Sequence, residues 1–237
     1  MDLLDNMKII VIIPARCGSK GIKDKNIIDL CGKPLISYSI DQALALKNRG
    51  LISKVIVSTD CQKIADIAKS YGADVPFLRP KELADDKSKS IDFYLHTIEF
   101  FENLDEQFDA ILLLQPTSPL RDISLLEKSI KLFSTSTNSS LISVYKEEYI
   151  NDLVMYKDID SSTLKPLNPL HNKGVRRQDH GSVYVRNGAI YITTVAYIKE
   201  NQQIISDEPL FVEMKKSDSI NIDTAEDLTL IRQMLCR

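Results

Sequence analysis

Histidine and glycine are both scarce in this 237-residue chain, with three and eight residues respectively. His96, His171 and His180 form neither an HExxH motif nor a nucleophile triad, which removes the common zinc-hydrolase and histidine-base signatures. His96 falls in a helical pattern and reads as structural. The four cysteines, Cys17, Cys31, Cys61 and Cys236, include no CxxC pair. Neither a zinc site nor a disulfide framework is predicted, and they read as the reduced thiols of a cytoplasmic protein. Long hydrophobic runs are missing too. The longest, residues 9–13 and 110–114, stop far short of the roughly 20 residues a membrane helix needs. Residues 1–6 lack the basic and apolar regions of an export signal and read as a short tail. A formal charge of −3 lacks the excess of basic residues typical of a nucleic-acid binder, so any polyanion contact has to be local.

What is present is the composition of a folded chain, 43% hydrophobic and 27% charged, with a length suited to one large domain carrying a small insertion. Residues 7–14 form the first strand pattern, apolar without alternation from Ile9 onward, as expected of a parallel strand covered on both faces. Strand patterns follow at 54–59, 74–78, 109–114, 140–145, 187–192 and 210–214. Helical patterns lie between them at 35–47, 62–71, 91–103, 124–133 and 195–200, and a last helix spans 225–235. Alternating strands and helices predict an α/β, Rossmann-like, open and mostly parallel sheet with helices on both faces. Periodicity weakens between 146 and 186, which reads as an inserted arm. In such sheets ligands bind beyond the carboxyl ends of the strands at a topological switch point, so the loops there carry the functional reading.

Three of the eight glycines, Gly18, Gly21 and Gly32, fall within the first 32 residues. The first two lie in Ala15-Arg16-Cys17-Gly18-Ser19-Lys20-Gly21-Ile22-Lys23-Asp24-Lys25-Asn26, directly after the first strand. Glycines let backbone N–H groups approach a ligand, and Arg16, Lys20, Lys23 and Lys25 supply positive charge, so this loop reads as a polyphosphate cradle. It is neither GxGxxG nor GxxxxGK[ST], which removes the dinucleotide and P-loop fingerprints. Arg79-Pro80 after the third strand offers a guanidinium to a base or phosphate, and Ser90 opens the next helix. Gln115-Pro116-Thr117-Ser118-Pro119 presents an amide and two hydroxyls on a turn stiffened by two prolines. Asn221 and Asp223 share one face of an extended segment and offer oxygen ligands suited to Mg²⁺, while Thr224 to Asp227 resembles a capping box. Arg176-Arg177 and Arg186 are candidate carboxylate binders.

Taken in order, these motifs resemble the CMP-sialic acid synthetases, or acylneuraminate cytidylyltransferases, and their relatives acting on legionaminic acid. The resemblance runs from about residue 7 to 235. It rests on Ala15-Arg16 to Asn26, Ser58-Thr59-Asp60, Arg79-Pro80 to Leu83, Gln115 to Arg121, Arg177-Gln178, Asn187-Gly188-Ala189-Ile190-Tyr191 and Ile222-Asp223-Thr224 to Asp227. It implies that CTP and a nine-carbon 2-keto acid sugar give a CMP-sugar and pyrophosphate with Mg²⁺, the favoured sugar being N-acetylneuraminate, with legionaminic or pseudaminic acid as the alternative. A catalytically silent nucleotide-binding relative is the rival from another class. The resemblance makes Arg16, Lys20, Lys25 and Asp223 the catalytic set. Ala15, Arg16, Gly18, Ser19, Asn26, Arg79 and Ser90 would hold the nucleotide, and Gln115, Thr117, Ser118, Arg177 and Asn187 the sugar. Asp223 and Asn221 would be metal ligands. It further implies a homodimer in which the 146–186 arm crosses to the partner.

Two departures stand out. Asn221 occupies a place where many members have a second aspartate. Val185 stands where some relatives have an arginine, with Arg186 displaced by one, and a one-residue shift along a strand turns a side chain to the opposite face.

Overall fold

The computed structural model describes residues 7–19, 21–85, 88–148, 150–173 and 182–236. Lys20, Arg176 and Arg177 lie outside them. Strand β1 (Ile9–Pro14) occupies the middle of a six-stranded sheet, because each of its apolar residues is needed on one face or the other. Ile9, Val11 and Ile13 pack into one core with helices α1 (Leu35–Asn48), α2 (Gln62–Ser70) and α4 (Ile123–Ser134). Ile10 and Ile12 pack into the other with α3 (Ser90–Glu102) and α5 (Val195–Asn201). The expected α/β architecture with helices on both faces is therefore present.

β1 pairs in parallel with β4 (Lys54–Ser58) on one side and β5 (Ala110–Leu113) on the other. The chain first builds outward through β4 and then returns to β1's opposite edge, so the switch point lies between β1 and β5. Beyond β5 come β9 (Val183–Thr194), β6 (Ser140–Glu147) and β10 (Leu210–Glu213). β10 runs parallel to β6, whereas β9 is antiparallel to both β5 and β6. The reversal follows from the connection. Among the described residues no crossover helix lies between β6 and β9, and the chain returns alongside the strand it has just left.

The segment 74–78 differs from expectation. It touches the sheet only through the bridges Ile56↔Asp74 and Thr59↔Leu78, because Pro76 at its centre has no N–H for a ladder. The arm is also smaller than 146–186. β6 continues to Glu147 and pairs there with Val183, and between them lies a hairpin of β7 (Tyr156–Asp158) and β8 (Leu164–Pro166).

A third apolar cluster joins the short hairpin β2 (Asp29–Leu30) and β3 (Lys33–Pro34) to the final helix α6 (Ala225–Leu235). Leu30 and Leu35 there meet Ile222, Leu228 and Ile231. This contact brings Cys31 to Cys236, and the two form a disulfide across 205 residues with Cα atoms 5.2 Å apart. The expectation of four reduced thiols is corrected for this pair. Spacing along the chain carries no trace of a partner brought close only by tertiary packing. Among the described residues, no helix is long and apolar enough to cross a membrane.

Candidate active site

The switch point opens into a cavity of about 550 Å³ at the carboxyl ends of β1 and β5, whose last residues, Pro14 and Leu113, both line it. Arg16, Ser19, Gly21, Lys25 and Asn26 come from the loop after β1, Arg79 from the segment after β4, and Ser90 and Phe93 from α3. Gln115, Pro116 and Thr117 come from the turn after β5, and Asp223 from the approach to α6. Residues predicted from five separate stretches of sequence thus converge on one space.

The loop after β1 is tied down where it leaves the sheet. Ala15, fully buried, donates its N–H to Ser58 O at 3.0 Å, and Cys17 N–H donates to Asp60 Oδ1 at 2.8 Å. Asn26 Nδ2 closes the loop by donating to Arg16 O at 3.0 Å. The neighbouring Cys61 thiol, with burial, pushes the Cys17 thiol up to about 11. Gly18 adopts a left-handed φ of +69° with open space around it. Gly21 does different work from that expected. A Cβ there would stand 2.3 Å from Asp223 O, so its missing side chain makes room for the 223 backbone as well as for a ligand. Across this contact Lys25 Nζ meets Asp223 Oδ1 at 2.7 Å, with the lysine side chain 15% exposed and the aspartate 67%.

Arg79 is buried although its head borders the cavity. Its Nε donates to Ser58 Oγ at 3.1 Å and one Nη to Ser58 O at 2.5 Å, while the guanidinium lies 4.8 Å from the Phe93 ring centroid. Burial lowers its pKa to about 10, with Asp60 opposing the shift and Arg16 adding to it. A planar cation held over an aromatic ring by hydrogen bonds on one edge can offer its other edge to a flat acceptor such as a base. Ser90 is the first helical residue of α3 and not its cap, which leaves its hydroxyl at the cavity.

The turn after β5 divides by depth. Gln115 and Thr117 face the cavity, whereas Ser118 is 2% exposed and donates through Oγ to Asn221 Oδ1. Asn221 Nδ2 in turn donates to Asn187 O at 2.9 Å. Asn187, also buried, accepts from Ser143 Oγ and donates to Ser219 Oγ at 2.8 Å. Ser118, Asn221 and Asn187 therefore form a polar strut, buried at Ser118 and Asn187 and half-buried at Asn221, joining the β5 turn, β9 and the α6 approach, and none of the three lines the cavity. A hydroxyl or amide in a turn reads the same in sequence whether it faces a ligand or a neighbouring segment.

A second cavity of about 450 Å³ shares Lys89, Ser90, Leu113 and Gln115 with the first and extends over Ile91, Arg186, Tyr191 and residues 202–205. Its wall of Ile204 and Ile205 was not foreseen, because it belongs to an aperiodic loop after α5. Arg186 faces this space, with its guanidinium 5.9 Å from the Tyr191 ring centroid, which overturns the expectation that it turns away. The strict alternation assumed for that expectation is broken. The β6–β9 register shifts between Ile142 and Val144, opposite Gly188, which has φ +77°. A bulge of this kind resets the phase of the strand, so residues 186 and 191 share a side.

Magnesium accepts one or two protein carboxylates and completes its shell with water and phosphate oxygens. Asp223 fits that requirement, being an exposed carboxylate at the rim of the cation-lined cavity. Asn221 does not reach the cavity and has its amide engaged at both ends. Asp227 is occupied in the capping box, accepting from Thr224 N and Asp223 N. Among the described residues there is no cluster of three or more acidic, histidine or cysteine side chains able to hold a metal by themselves.

Comparison with known proteins agrees with this geometry. A sequence family described as cytidylyltransferase matches residues 10–232. The chain is 36% identical to the CMP-N,N'-diacetyllegionaminic acid synthase of Legionella pneumophila, over 97% of both chains. It is also 36% identical to an N-acylneuraminate cytidylyltransferase of Escherichia coli, over 94% of this chain and 51% of that one. Among solved structures, a CMP:2-keto-3-deoxy-manno-octonic acid synthetase complexed with CTP superposes with a TM-score of 0.70 at 15% identity, covering 96% of this chain and 98% of that one.

Proposed function

This chain belongs to the cytidylyltransferase family, and from that premise we propose that its site joins CTP to a nonulosonic acid, giving the CMP-sugar and pyrophosphate. The observation that carries the reading is the Lys25–Asp223 pair at the rim of the switch-point cavity, set between cationic and amide-bearing walls. The loop from Arg16 to Asn26 receives the triphosphate, with Lys20 expected to add its charge. Arg79, Asn26 and Ser90 hold the cytidine. Gln115 stands where the two cavities join, with Thr117 beside it in the first, and the second cavity receives the sugar. Its apolar Ile204 and Ile205 suit the methyl of an acylamino substituent, and its Arg186 suits the sugar carboxylate, a role the family resemblance also assigns to Arg177, outside the described residues.

The chemistry is an in-line displacement. The anomeric oxygen of the sugar forms a bond to the α-phosphorus as the bond to the β-phosphate oxygen breaks, and the hydroxyl proton passes to solvent or to a base. Negative charge builds on the phosphoryl oxygens and on departing pyrophosphate, so fixed cations and precise positioning supply most of the catalysis. Mg²⁺ held at Asp223 would neutralise phosphate charge and help orient the triphosphate. Lys25 serves this step by exchanging its Asp223 partner for a phosphate oxygen once the nucleotide enters.

The test is pyrophosphate release from CTP and Mg²⁺ across a panel of N-acetylneuraminic, legionaminic and pseudaminic acids. Turnover with at least one, and none without a sugar acid, is the expected result. CTP binding with no turnover on any member of the panel would establish the silent nucleotide-binding rival instead.

We further propose that the working unit is a homodimer joined through the arm. Val154, Met155, Tyr156, Ile159, Leu164 and Leu167 are all exposed on or beside the β7–β8 hairpin. So many large apolar side chains in one short segment suit a second protein surface. Sedimentation should give twice the chain mass, and Met155→Asp combined with Leu164→Asp should give a monomer. A monomeric parent protein at micromolar concentration would refute the dimer.

A further inference from the structure

We propose that Arg121 is a positioning residue for the sugar side of the site, holding the Gln115 carbonyl, α1 and β9 in a single arrangement and so setting where the Gln115 amide stands. The inference rests on the reading above, in which Gln115 faces the sugar acid.

Arg121 ends the turn that begins at Gln115 and is 4% exposed. Its guanidinium gathers acceptors from three separate segments. Nε donates to Gln42 Oε1 at 3.0 Å, one Nη donates to Gln115 O at 2.8 Å and Ala189 O at 3.2 Å, and the other donates to Ser39 Oγ. Gln42, itself buried, returns the contact by donating from Nε2 to Arg121 O at 2.8 Å and Pro119 O at 3.1 Å. Ser39 and Gln42 lie on α1, Gln115 to Arg121 on the turn after β5, and Ala189 on β9 directly after Gly188.

None of these acceptors is a carboxylate, and burial alone pulls the Arg121 pKa down to about 9. A buried cation without a counter-ion is a poor way to stabilise a core, since an apolar side chain of similar volume fills the same space without desolvating a charge. What an apolar side chain lacks is a rigid fork of five donors, and a lysine ammonium offers only three from a single point. The guanidinium therefore does what no substitute does, which is to fix one carbonyl just past the end of β5 and another in the middle of β9 at once.

The segments that carry those two carbonyls supply walls of the site. Gln115 borders both cavities, and its Nε2 lies 3.8 Å from where a Cβ on Gly188 would stand. Tyr191, two residues past Ala189, lines the second cavity. One side chain, touching neither cavity, thus sets the gap between the Gln115 wall and the Tyr191 wall. The nucleotide loop hangs instead on Ser58, Asp60 and Asn26, none of which contacts Arg121.

The separation gives the test. Arg121→Met removes the charge and keeps the volume, and Gln42→Leu loosens the clamp from the other side without touching either cavity. Both variants are compared with the parent protein by thermal unfolding and by steady-state pyrophosphate release, varying CTP and the best sugar acid in turn. Because a misplacement approaching 1 Å is costly in an oriented reaction, kcat/KM for the sugar is expected to fall about 30-fold in R121M and about 10-fold in Q42L. KM for CTP stays within about threefold of the parent on the same argument, and Arg121→Lys recovers only a small part of the loss. Sugar kcat/KM near the parent value in both folded variants, or sugar and CTP parameters falling in parallel, would overturn the proposal. Should R121M not fold, Q42L decides alone. The parent protein separates the two readings: no pyrophosphate from it refutes the cytidylyl reading, whereas turnover without the split refutes only the role of Arg121.

Discussion

Lys25→Ala is expected to lower kcat/KM about 10³-fold while leaving the fold intact. The size follows from the task assigned to the lysine. A fixed cation beside a phosphoryl group under transfer acts where charge develops, and losing one such group costs on the order of 10²–10³ and more in related chemistry. Stability responds differently. The Asp223 carboxylate is 67% exposed, so the pair it forms with Lys25 is largely screened and is worth at most about 1 kcal/mol. Asp223 left alone stays solvated, so its carboxylate makes no new demand on the fold. Steady-state pyrophosphate release and thermal unfolding on the same preparation check both halves. Turnover within a few-fold of the parent would take Lys25 out of the mechanism. A collapse of the melting transition would recast the lysine as a structural counter-ion to Asp223.

Lys25 also illustrates what the chain discloses about itself. The apolar run of β1 has no polar face, so it had to be central and parallel, and the loop that follows it had to leave at a strand's carboxyl end. From that alone the cation-rich stretch around Lys25 was placed beside the site. The same local logic gave the α6 capping box, where Thr224 and Asp227 act within one helical turn. It failed wherever the decisive partner was distant. Cys31 meets Cys236 because one apolar cluster joins the β2–β3 hairpin to α6, and Ser118 faces Asn221 because the α6 approach passes behind the turn. Arg186 departs from its expected direction for another reason. Alternation along a strand holds only while register holds, and the bulge opposite Gly188 breaks it. Residues 202–205 have no periodicity at all, so the wall they form around the second cavity emerges only from the folded chain.

Gly21→Ala tests the most crowded of these distant contacts and should cost kcat/KM on the order of 10²–10³, a loss approaching that of K25A, although it adds a single methyl group to an exposed loop. The added Cβ would stand 2.3 Å from Asp223 O, and a main-chain carbonyl has no rotamer by which to withdraw. The segment holding that carbonyl is pinned. Ile222 is fully buried among Leu30, Leu35, Leu228 and Ile231, its N–H donates to Thr117 O at 2.8 Å, and Asp223 N–H is held by Asp227 Oδ2 at 3.0 Å. The loop from Gly18 to Lys25 must therefore yield, carrying Ser19 and Lys25 away from the cavity by a distance comparable to the overlap. Since that loop buries little, the melting temperature should fall by only a few degrees. Gly18→Ala is the matched control. It introduces strain at a left-handed φ of +69° but meets nothing within 4 Å, so it should cost about 1–2 kcal/mol locally and change turnover much less. If G21A and G18A lose activity equally, flexibility of the loop is what matters. If G21A alone loses it, the close approach of the loop to Asp223 is the element that catalysis requires.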